Sequence, residues 1–281
     1  MTPILIPEGY NYIAVFLTLA CNLSCSYCIN RFQGLTPEKG ALTGDQWLRG
    51  LNRIISREDL PVTLGGGEPT LHPDFTAIVN GVRPELNLDL LTNLQFDGHR
   101  FMTEISPDRL RRAAPYASIR VSYHPETMPL EPLVEKVLRM QGGGYSMGLW
   151  GVLHPAHEAE ILRAQAYCTS LGIDFRTKEF LGEYGGLLHG AVKYPGACDG
   201  TAVRNVSCRT SELIVGPTGG IYRCHGDLYE GREPVGHLLD PDFRIQEIHR
   251  PCRAFGRCNP CDVKVKTNRL QIFGHTSVDI I

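Results

Sequence analysis

Short apolar runs alternate with amphipathic stretches along the first two thirds of the chain. Apolar runs bounded by turn-forming residues predict buried strands, and apolar residues recurring every three or four positions predict helices. The predicted strands cover residues 12–19, 62–64, 86–91, 118–123, 145–153 and 173–178. Helices are predicted between these strands, beginning near residues 43, 74, 106, 133 and 157.

Two of these helices have explicit start signals. Thr43 and Gln46 form a capping box, and the helix that they begin has an apolar face. Its members are Trp47, Leu51, Ile54 and Ile55. Ser106 precedes a proline at the first helical turn, which predicts a second helix start. This second helix would carry a solvated basic group made of Arg109, Arg111 and Arg112.

The regular alternation of strand and helix predicts an α/β fold with a parallel sheet and helices outside it. Six strand–helix units are too few for a closed eight-stranded barrel, so we expect a partial (βα)6 barrel with its active site at the carboxyl ends of the strands. After residue 182 glycine, proline and cysteine become dense and helical periodicity fades. Residues 212–215 and 221–224 flank a glycine-rich turn, which predicts a β-hairpin. We therefore expect a barrel domain over 1–185 and a small cysteine-rich domain over 186–281.

Composition and charge narrow the class of protein. An apolar fraction of 42% can fill a core, and a net charge of −2 gives no reason to expect nucleic acid or an anionic membrane as partner. The N-terminus lacks the pattern of a secretory signal, and the longest apolar run, residues 13–20, is too short to span a bilayer. We expect a cytoplasmic protein, in which ten cysteines indicate metal binding or catalysis rather than disulfides.

Three cysteines follow the first predicted strand with the spacing Cx3Cx2C: Cys21, Cys25 and Cys28. Three neighbouring thiolates suit an iron–sulfur cluster, and a four-iron cluster normally takes four. One iron would then stay open to a cofactor or substrate, as open positions do at other catalytic metal sites. A structural zinc site is the alternative, but it would need a fourth nearby ligand, and the nearest histidine in sequence is His72.

The segment C-N-L-S-C-S-Y-C resembles the radical S-adenosylmethionine (SAM) signature, in which the residue before the third cysteine is aromatic. The resemblance implies that the open iron chelates the amino and carboxylate groups of SAM, with Tyr27 beside the adenine. G-G-G-E-P-T after the second strand resembles the family's G-G-E-P segment. There, glycines would let the backbone approach the SAM ammonium and Glu68 would supply negative charge. The implied SAM-binding residues are Tyr27, Gly65, Gly66, Gly67, Glu68, Asn93, Ser122 and His124.

A second group of cysteines lies in the C-terminal third. Cys208 and Cys224 bracket the predicted hairpin, with Gly219 five residues before Cys224, which resembles the twitch half of the SPASM/twitch group of radical SAM proteins. That resemblance implies an auxiliary 4Fe-4S cluster. Cys168 is expected to be a buried small hydrophobe, and the six remaining cysteines are too few for two all-cysteine clusters. The favoured ligands are Cys208, Cys224, Cys258 and Cys261, although Cys198 or Cys252 could replace one, and structural zinc is an alternative.

The resemblance implies reductive cleavage of SAM to a 5′-deoxyadenosyl radical, hydrogen abstraction from the substrate, and an oxidation assisted by the auxiliary cluster. A flavodoxin or ferredoxin would donate the electron. The leading substrate is a small polar metabolite, such as a sugar or aminocyclitol alcohol, because the first strand begins too early for a preceding leader-binding domain. A ribosomal peptide is the alternative substrate, and an electron carrier or a zinc-stabilised module is the non-enzymatic one.

The candidate catalytic base is His225, which follows a predicted cluster ligand and has an ordinary pKa suited to proton transfer near neutrality. In sulfatase-maturing relatives an aspartate at the matching position serves as base, and Asp227 is the reserve candidate here. The alternative role for His225 is a hydrogen bond to a cluster sulfur. Four other histidines are expected to be structural or exposed: His72, His99, His154 and His189.

Overall fold

The computed structural model describes residues 2–30, 32, 34–57, 60–201, 203–266 and 274–281. The strands are β1 (Ile4–Leu5), β2 (Tyr12–Thr18), β3 (Ile54–Ile55), β4 (Val62–Gly66), β5 (Leu88–Thr92), β6 (Ile119–Tyr123), β7 (Met147–Leu153), β8 (Phe175–Glu179), β9 (Gly182–Tyr184), β10 (Leu187–His189), β11 (Arg204–Thr210), β12 (Glu212–Val215), β13 (Gly220–Tyr222), β14 (Gly236–His237), β15 (Arg250–Phe255) and β16 (Val278–Ile280). The α-helices are α1 (Gly44–Leu51), α2 (Phe75–Gly81), α3 (Gly98–Glu104), α4 (Leu130–Gly142), α5 (Glu158–Ser170), α6 (His225–Tyr229) and α7 (Pro260–Val263), with 3₁₀ turns at Pro69–Leu71 and Pro107–Leu110.

A mostly parallel sheet forms the centre of the fold, with strand order β14-β13-β12-β2-β4-β5-β6-β7-β8. Strands β2 and β4 to β8 run parallel, which confirms the predicted α/β fold. The predicted hairpin is also present, but β12 pairs in parallel with β2, with Leu213 opposite Ile13. The cysteine-rich part of the chain therefore shares a sheet with the barrel strands.

One face of the sheet is covered by helices and carries the main core. Leu64, Leu90, Val121 and Leu149 are fully buried on this face. Because side chains alternate along a strand, the residues between them point to the opposite, inner face. A smaller cluster on the inner face joins Phe16 of β2 to the C-terminal region.

The first helix is shorter than predicted. Its capping box is present, with Gln46 N donating to the Thr43 hydroxyl, but the helix ends at Leu51. Ile54 and Ile55 form β3 instead of a last helical turn. The cause is β1, whose backbone amides need acceptors: Ile4 N donates to the carbonyl of Arg53.

The predicted helix after Ser106 is also wrong, because Pro107–Leu110 is a single 3₁₀ turn. Its basic residues are not a solvated group, apart from the exposed Arg111. Arg112 forms a bidentate pair with Asp89, at 2.6 and 2.9 Å, and both side chains are buried. A buried carboxylate on a central strand requires such a partner. The sequence analysis also missed α3, which Asp97 caps by accepting from the amides of residues 99 and 100.

Three smaller sheets complete the fold. β11 lies between β15 and β16 in an antiparallel sheet, β9 and β10 form a hairpin, and β1 pairs with β3. Cys168 lies on α5 and is fully buried, as expected for a small hydrophobe. Among the helices in the described part of the chain, none is long and apolar enough to cross a membrane.

Candidate active site

The loop after β2, which carries the first three cysteines, is held by the glycine-rich segment that follows β4. Gly67 N donates to Thr18 O at 2.9 Å, and Glu68 N donates to Ala20 O at 2.8 Å. A Cβ on Gly66 would lie 2.0 Å from Thr18 O, and one on Gly67 would lie 2.1 Å from Ala20 O. Gly66 also has φ of 148°, a conformation that favours glycine. These two glycines are therefore required by backbone packing against the cysteine loop.

Glu68 ties the ends of β4 and β5 together. Its carboxylate accepts from the Thr70 hydroxyl at 2.6 Å, the Thr92 hydroxyl at 2.8 Å and Asn93 N at 2.7 Å. The side chain is buried, and this burial raises the pKa of Glu68. These contacts make Glu68 a support for the loops around the site, and the negative charge that it would supply to SAM stays a prediction.

Asn93 links the end of β5 to the cysteine loop, because its side-chain amide donates to Asn22 Oδ1 at 2.7 Å. The next residue, Leu94, has φ of 61° and is fully buried, which strains a non-glycine backbone by about 1 kcal/mol. Lys136 Nζ donates to the Leu94 carbonyl at 2.8 Å and stabilises this turn. The sequence analysis missed Asn22 and Lys136, since neither forms part of a recognisable motif.

Tyr27 lies in a group of aromatic and imidazole rings. Its hydroxyl is 3.0 Å from Nδ1 of His124, and its ring stacks on His154 with the centroids 5.0 Å apart. Burial lowers the pKa of His124 to about 4, so this imidazole is neutral near pH 7. His154 was expected to be structural or exposed, but it lies beside Tyr27, with Phe180 on its other side.

Cys25 is anchored by the segment that follows β6. Its sulfur is 3.9 Å from the Thr127 hydroxyl, and the neighbouring Ser26 donates from its backbone and hydroxyl to Glu126 at 2.5 and 2.7 Å. Burial raises the pKa of the Cys25 thiol to about 11, so ionisation of this thiol requires a cation at its sulfur. Cys21 and Cys28 are half-buried in the same loop, and Ser122 is half-buried near the end of β6.

Four cysteines of the C-terminal region line one pocket: Cys208, Cys224, Cys252 and Cys258. The interaction between the Cys208 and Cys252 thiols raises the pKa of Cys208 and lowers that of Cys252. Cys261 was favoured as a ligand, but it does not line this pocket. It lies instead near Lys178, Lys264 and Lys266. In the described part of the chain no group of three or more His, Cys, Asp or Glu side chains is placed to hold a metal ion.

His225 is buried beside this pocket and is oriented by Asp262. Its Nδ1 and its backbone N donate to Asp262 Oδ1 at 2.9 and 2.8 Å. Although burial opposes protonation, the hydrogen bond to Asp262 raises the pKa of His225. Asp227, the reserve base, is paired with Arg223 at 2.7 Å and Arg232 at 2.9 Å, which favours a structural role.

The comparisons with known proteins agree with this arrangement. A sequence profile of the Radical SAM superfamily matches residues 15–175, which is more than half of the chain. The chain belongs to the radical SAM superfamily.

Solved structures support the same fold. The crystal structure of Streptococcus suis SuiB bound to S-adenosylmethionine is 13% identical, with a TM-score of 0.57 and coverage of 86% of this chain and 64% of SuiB. Native anSMEcpe with bound AdoMet and Kp18Cys peptide is 14% identical, with a TM-score of 0.54 and coverage of 85% of this chain and 78% of anSMEcpe. The chain thus spans just under two thirds of the length of SuiB.

Membership of the radical SAM superfamily implies a 4Fe-4S cluster and SAM, and the residues present fit both. The donor set is three thiols on one loop. Gly66 and Gly67 pack so closely against this loop that neither position has room for a side chain. Three thiols leave one iron without a protein ligand, which is the position that SAM would take. The cysteine-rich C-terminal region fits a twitch-like extension of the same superfamily.

Proposed function

We propose that this radical SAM enzyme oxidises its substrate, with one cluster at Cys21, Cys25 and Cys28 and a second in the C-terminal pocket. One observation supports this most directly. Phe16, on the strand that leads into the cysteine loop, contacts His225, the residue after Cys224, with ring centroids 6.0 Å apart. The segment that carries Cys224 therefore packs against the strand that leads to the first cysteine loop.

The first site would hold SAM against the carboxyl ends of the strands. Cys21, Cys25 and Cys28 would ligate the cluster, and Tyr27 with His154 would provide a stacked surface for the adenine. The bound cluster and SAM supply a reductively generated carbon radical that abstracts hydrogen from the substrate. Glu68 keeps the loops in place, and the neutral His124 orients the Tyr27 hydroxyl. A flavodoxin or ferredoxin in the cytoplasm would supply the electron.

The auxiliary 4Fe-4S cluster is assigned to Cys208, Cys224, Cys252 and Cys258, because these four cysteines line one pocket. This set uses Cys252 in place of Cys261. Arg223 and Arg232 line the same pocket and share one carboxylate, Asp227, so they would leave a net positive charge beside the cluster, which favours acceptance of an electron.

His225 is proposed as the group that takes the proton when the substrate radical loses an electron. Its Nδ1 donates to Asp262, which leaves Nε2 as the acceptor. The test is His225→Ala with substrate deuterated at the reacting carbon. Deuterium should still enter 5′-deoxyadenosine while product formation falls, because abstraction precedes deprotonation. Unchanged product yield would remove His225 from the mechanism.

The proposed substrate is a small polar metabolite with an oxidisable alcohol. A peptide is the second candidate, and it is favoured by the structural likeness to anSMEcpe, which was crystallised with a bound peptide. The experiment that tests the function is anaerobic reconstitution, which should give about eight irons per chain. Dithionite should then release 5′-deoxyadenosine from SAM, and a fully loaded protein that releases none is not a radical SAM enzyme of this kind.

A further inference from the structure

Lys178 lies on the inner face of the sheet. Phe175, three residues earlier on β8, packs beneath the helices, so the strand alternation directs Lys178 to the opposite face. In the strand register Lys178 lies beside Val152 of β7. Lys178 forms no hydrogen bond or ion pair with any residue that the structure describes.

The other cations near Lys178 already have acceptors. They pair as Lys264 with Glu179 at 2.9 Å, Lys266 with Ser277 at 2.8 Å, and Arg120 with Asp89 at 3.4 Å. The carboxylates of Glu179 and Asp89 therefore pair with other cations, and neither carboxylate pairs with Lys178. Among the residues that the structure describes, no carboxylate compensates the charge of Lys178.

Arg120 provides a second unsatisfied donor. Its side chain is only 4% exposed, and its Nε is buried without an acceptor among the described residues. A buried donor without an acceptor is unfavourable unless a ligand or an ordered water satisfies it. Burial, followed by the charges of Arg120 and Lys264, lowers the pKa of Lys178 to about 7. A bound anion would accept a hydrogen bond from the Arg120 Nε and would stabilise the Lys178 ammonium.

The C-terminal helices lie over this part of the inner face. The Lys264–Glu179 ion pair fixes α7 against the end of β8, and the contact between Tyr229 and Phe16, with centroids 5.9 Å apart, fixes α6 against β2. Lys178 and Arg120 therefore lie on the face of the sheet that these C-terminal helices contact, which the proposed function takes as the substrate site.

We propose that Lys178 and Arg120 bind an anionic group of the substrate, either a carboxylate or a phosphate ester. The inference rests on the proposed function, because it takes this face as the substrate site. The positive charges of Lys178 and Arg120 would repel a protonated amine. Acidic or phosphorylated sugars and acidic peptides are therefore favoured over an aminocyclitol.

The test uses the reactivity of the Lys178 amine in the reconstituted wild-type protein, which requires no activity. The protein is treated at pH 7 with N-acetoxysuccinimide, a small neutral acylating reagent, and acetylation is measured at each lysine by peptide mass spectrometry. Separate samples contain acetate, inorganic phosphate or SAM, with sodium chloride at matched ionic strength. Lys39 and Lys193, both exposed, are internal references in the same digest.

Acetate or phosphate should protect Lys178 in a saturable way and leave the references unchanged. An anion that raises the pKa of Lys178 from about 7 to about 8 reduces its neutral fraction at pH 7 about fivefold. Protection by acetate would indicate a substrate carboxylate, and protection by phosphate a phosphate ester. If neither anion protects Lys178, or if protection is no greater than with chloride, the proposal is overturned. Protection of Lys178 by SAM alone also overturns it, because the site would then belong to the SAM carboxylate.

A stability measurement provides a second readout. The probe that protects Lys178 should raise the melting temperature of the wild-type protein and of Lys193→Gln, but not of Lys178→Gln. An equal rise in Lys178→Gln contradicts the inference. The release of 5′-deoxyadenosine is measured on the same wild-type sample, so a failure of the radical SAM assignment is distinguished from a failure at Lys178.

Discussion

Gly67→Ala tests whether the glycines beside the cysteine loop serve the protein backbone or the ligand. The added Cβ would lie 2.1 Å from Ala20 O, a distance that real Cβ contacts do not reach, so the two segments must separate. Separation weakens the hydrogen bonds Gly67–Thr18 and Glu68–Ala20, each contributing about 1 kcal/mol. Strain from overpacking adds about 1–3 kcal/mol, giving a total of about 3–5 kcal/mol.

The matched control is Gly65→Ala, whose Cβ would meet only Leu91 at 3.8 Å, an ordinary contact. At about 2 °C per kcal/mol, Gly67→Ala should lower the melting temperature by about 6–10 °C, whereas Gly65→Ala should stay within about 1–2 °C of wild type. Calorimetry on reconstituted protein measures stability, and titration with SAM measures binding. If Gly65→Ala loses SAM binding as severely as Gly67→Ala at unchanged stability, the glycines serve ligand approach and the packing argument is wrong.

Three further predictions follow from the two cysteine sites. Cys252→Ala should lose about four irons while Cys261→Ala keeps them, and the reverse result in a metal analysis would return Cys261 to the ligand set. Cys25→Ala should release no 5′-deoxyadenosine yet retain about four irons, because the auxiliary site is separate, and continued release would contradict its role as a ligand. His154→Ala should weaken SAM binding about fivefold through loss of stacking at Tyr27. The exposed His99→Ala is its control, and equal effects of the two variants in calorimetric titration would refute the adenine surface.

The sequence predicted the parts of the fold that depend on local pattern. Buried strands such as β2 and β6 were visible as apolar runs, and the spacing of Cys21, Cys25 and Cys28 marked the first site. The contacts made by long polar side chains were not predictable from local pattern. Arg112 reaches Asp89 from a segment 23 residues away, and that pairing, rather than helical periodicity, decides the structure after Ser106.

The same limit applies to the contacts within the site. His154 lies beside Tyr27 because β7 neighbours β6, a relation that appears only once the sheet is assembled. Cys252 reaches the auxiliary pocket because β15 pairs with β11, where Val206 lies opposite Cys252. Sequence spacing instead favoured Cys261, which is closer to Cys258. Membership of a motif identified the cysteines, but strand pairing decides which of them share a pocket.

The pairing of β12 with β2 bears on how the two sites could work together. The boundary expected near residue 185 stays a prediction, yet the sheet extends across it, with Ile214 opposite Ala14. β2 leads directly into Cys21, and β12 leads through β13 to Cys224. Neighbouring strands of one sheet keep a fixed separation, since their backbone hydrogen bonds set it. In the proposed oxidation a hydrogen atom would be removed on one side of the substrate and an electron accepted on the other, which would require such a fixed relation. The pairing of β12 with β2 would give the proposed auxiliary site a defined position relative to the radical, which a flexible linker would not.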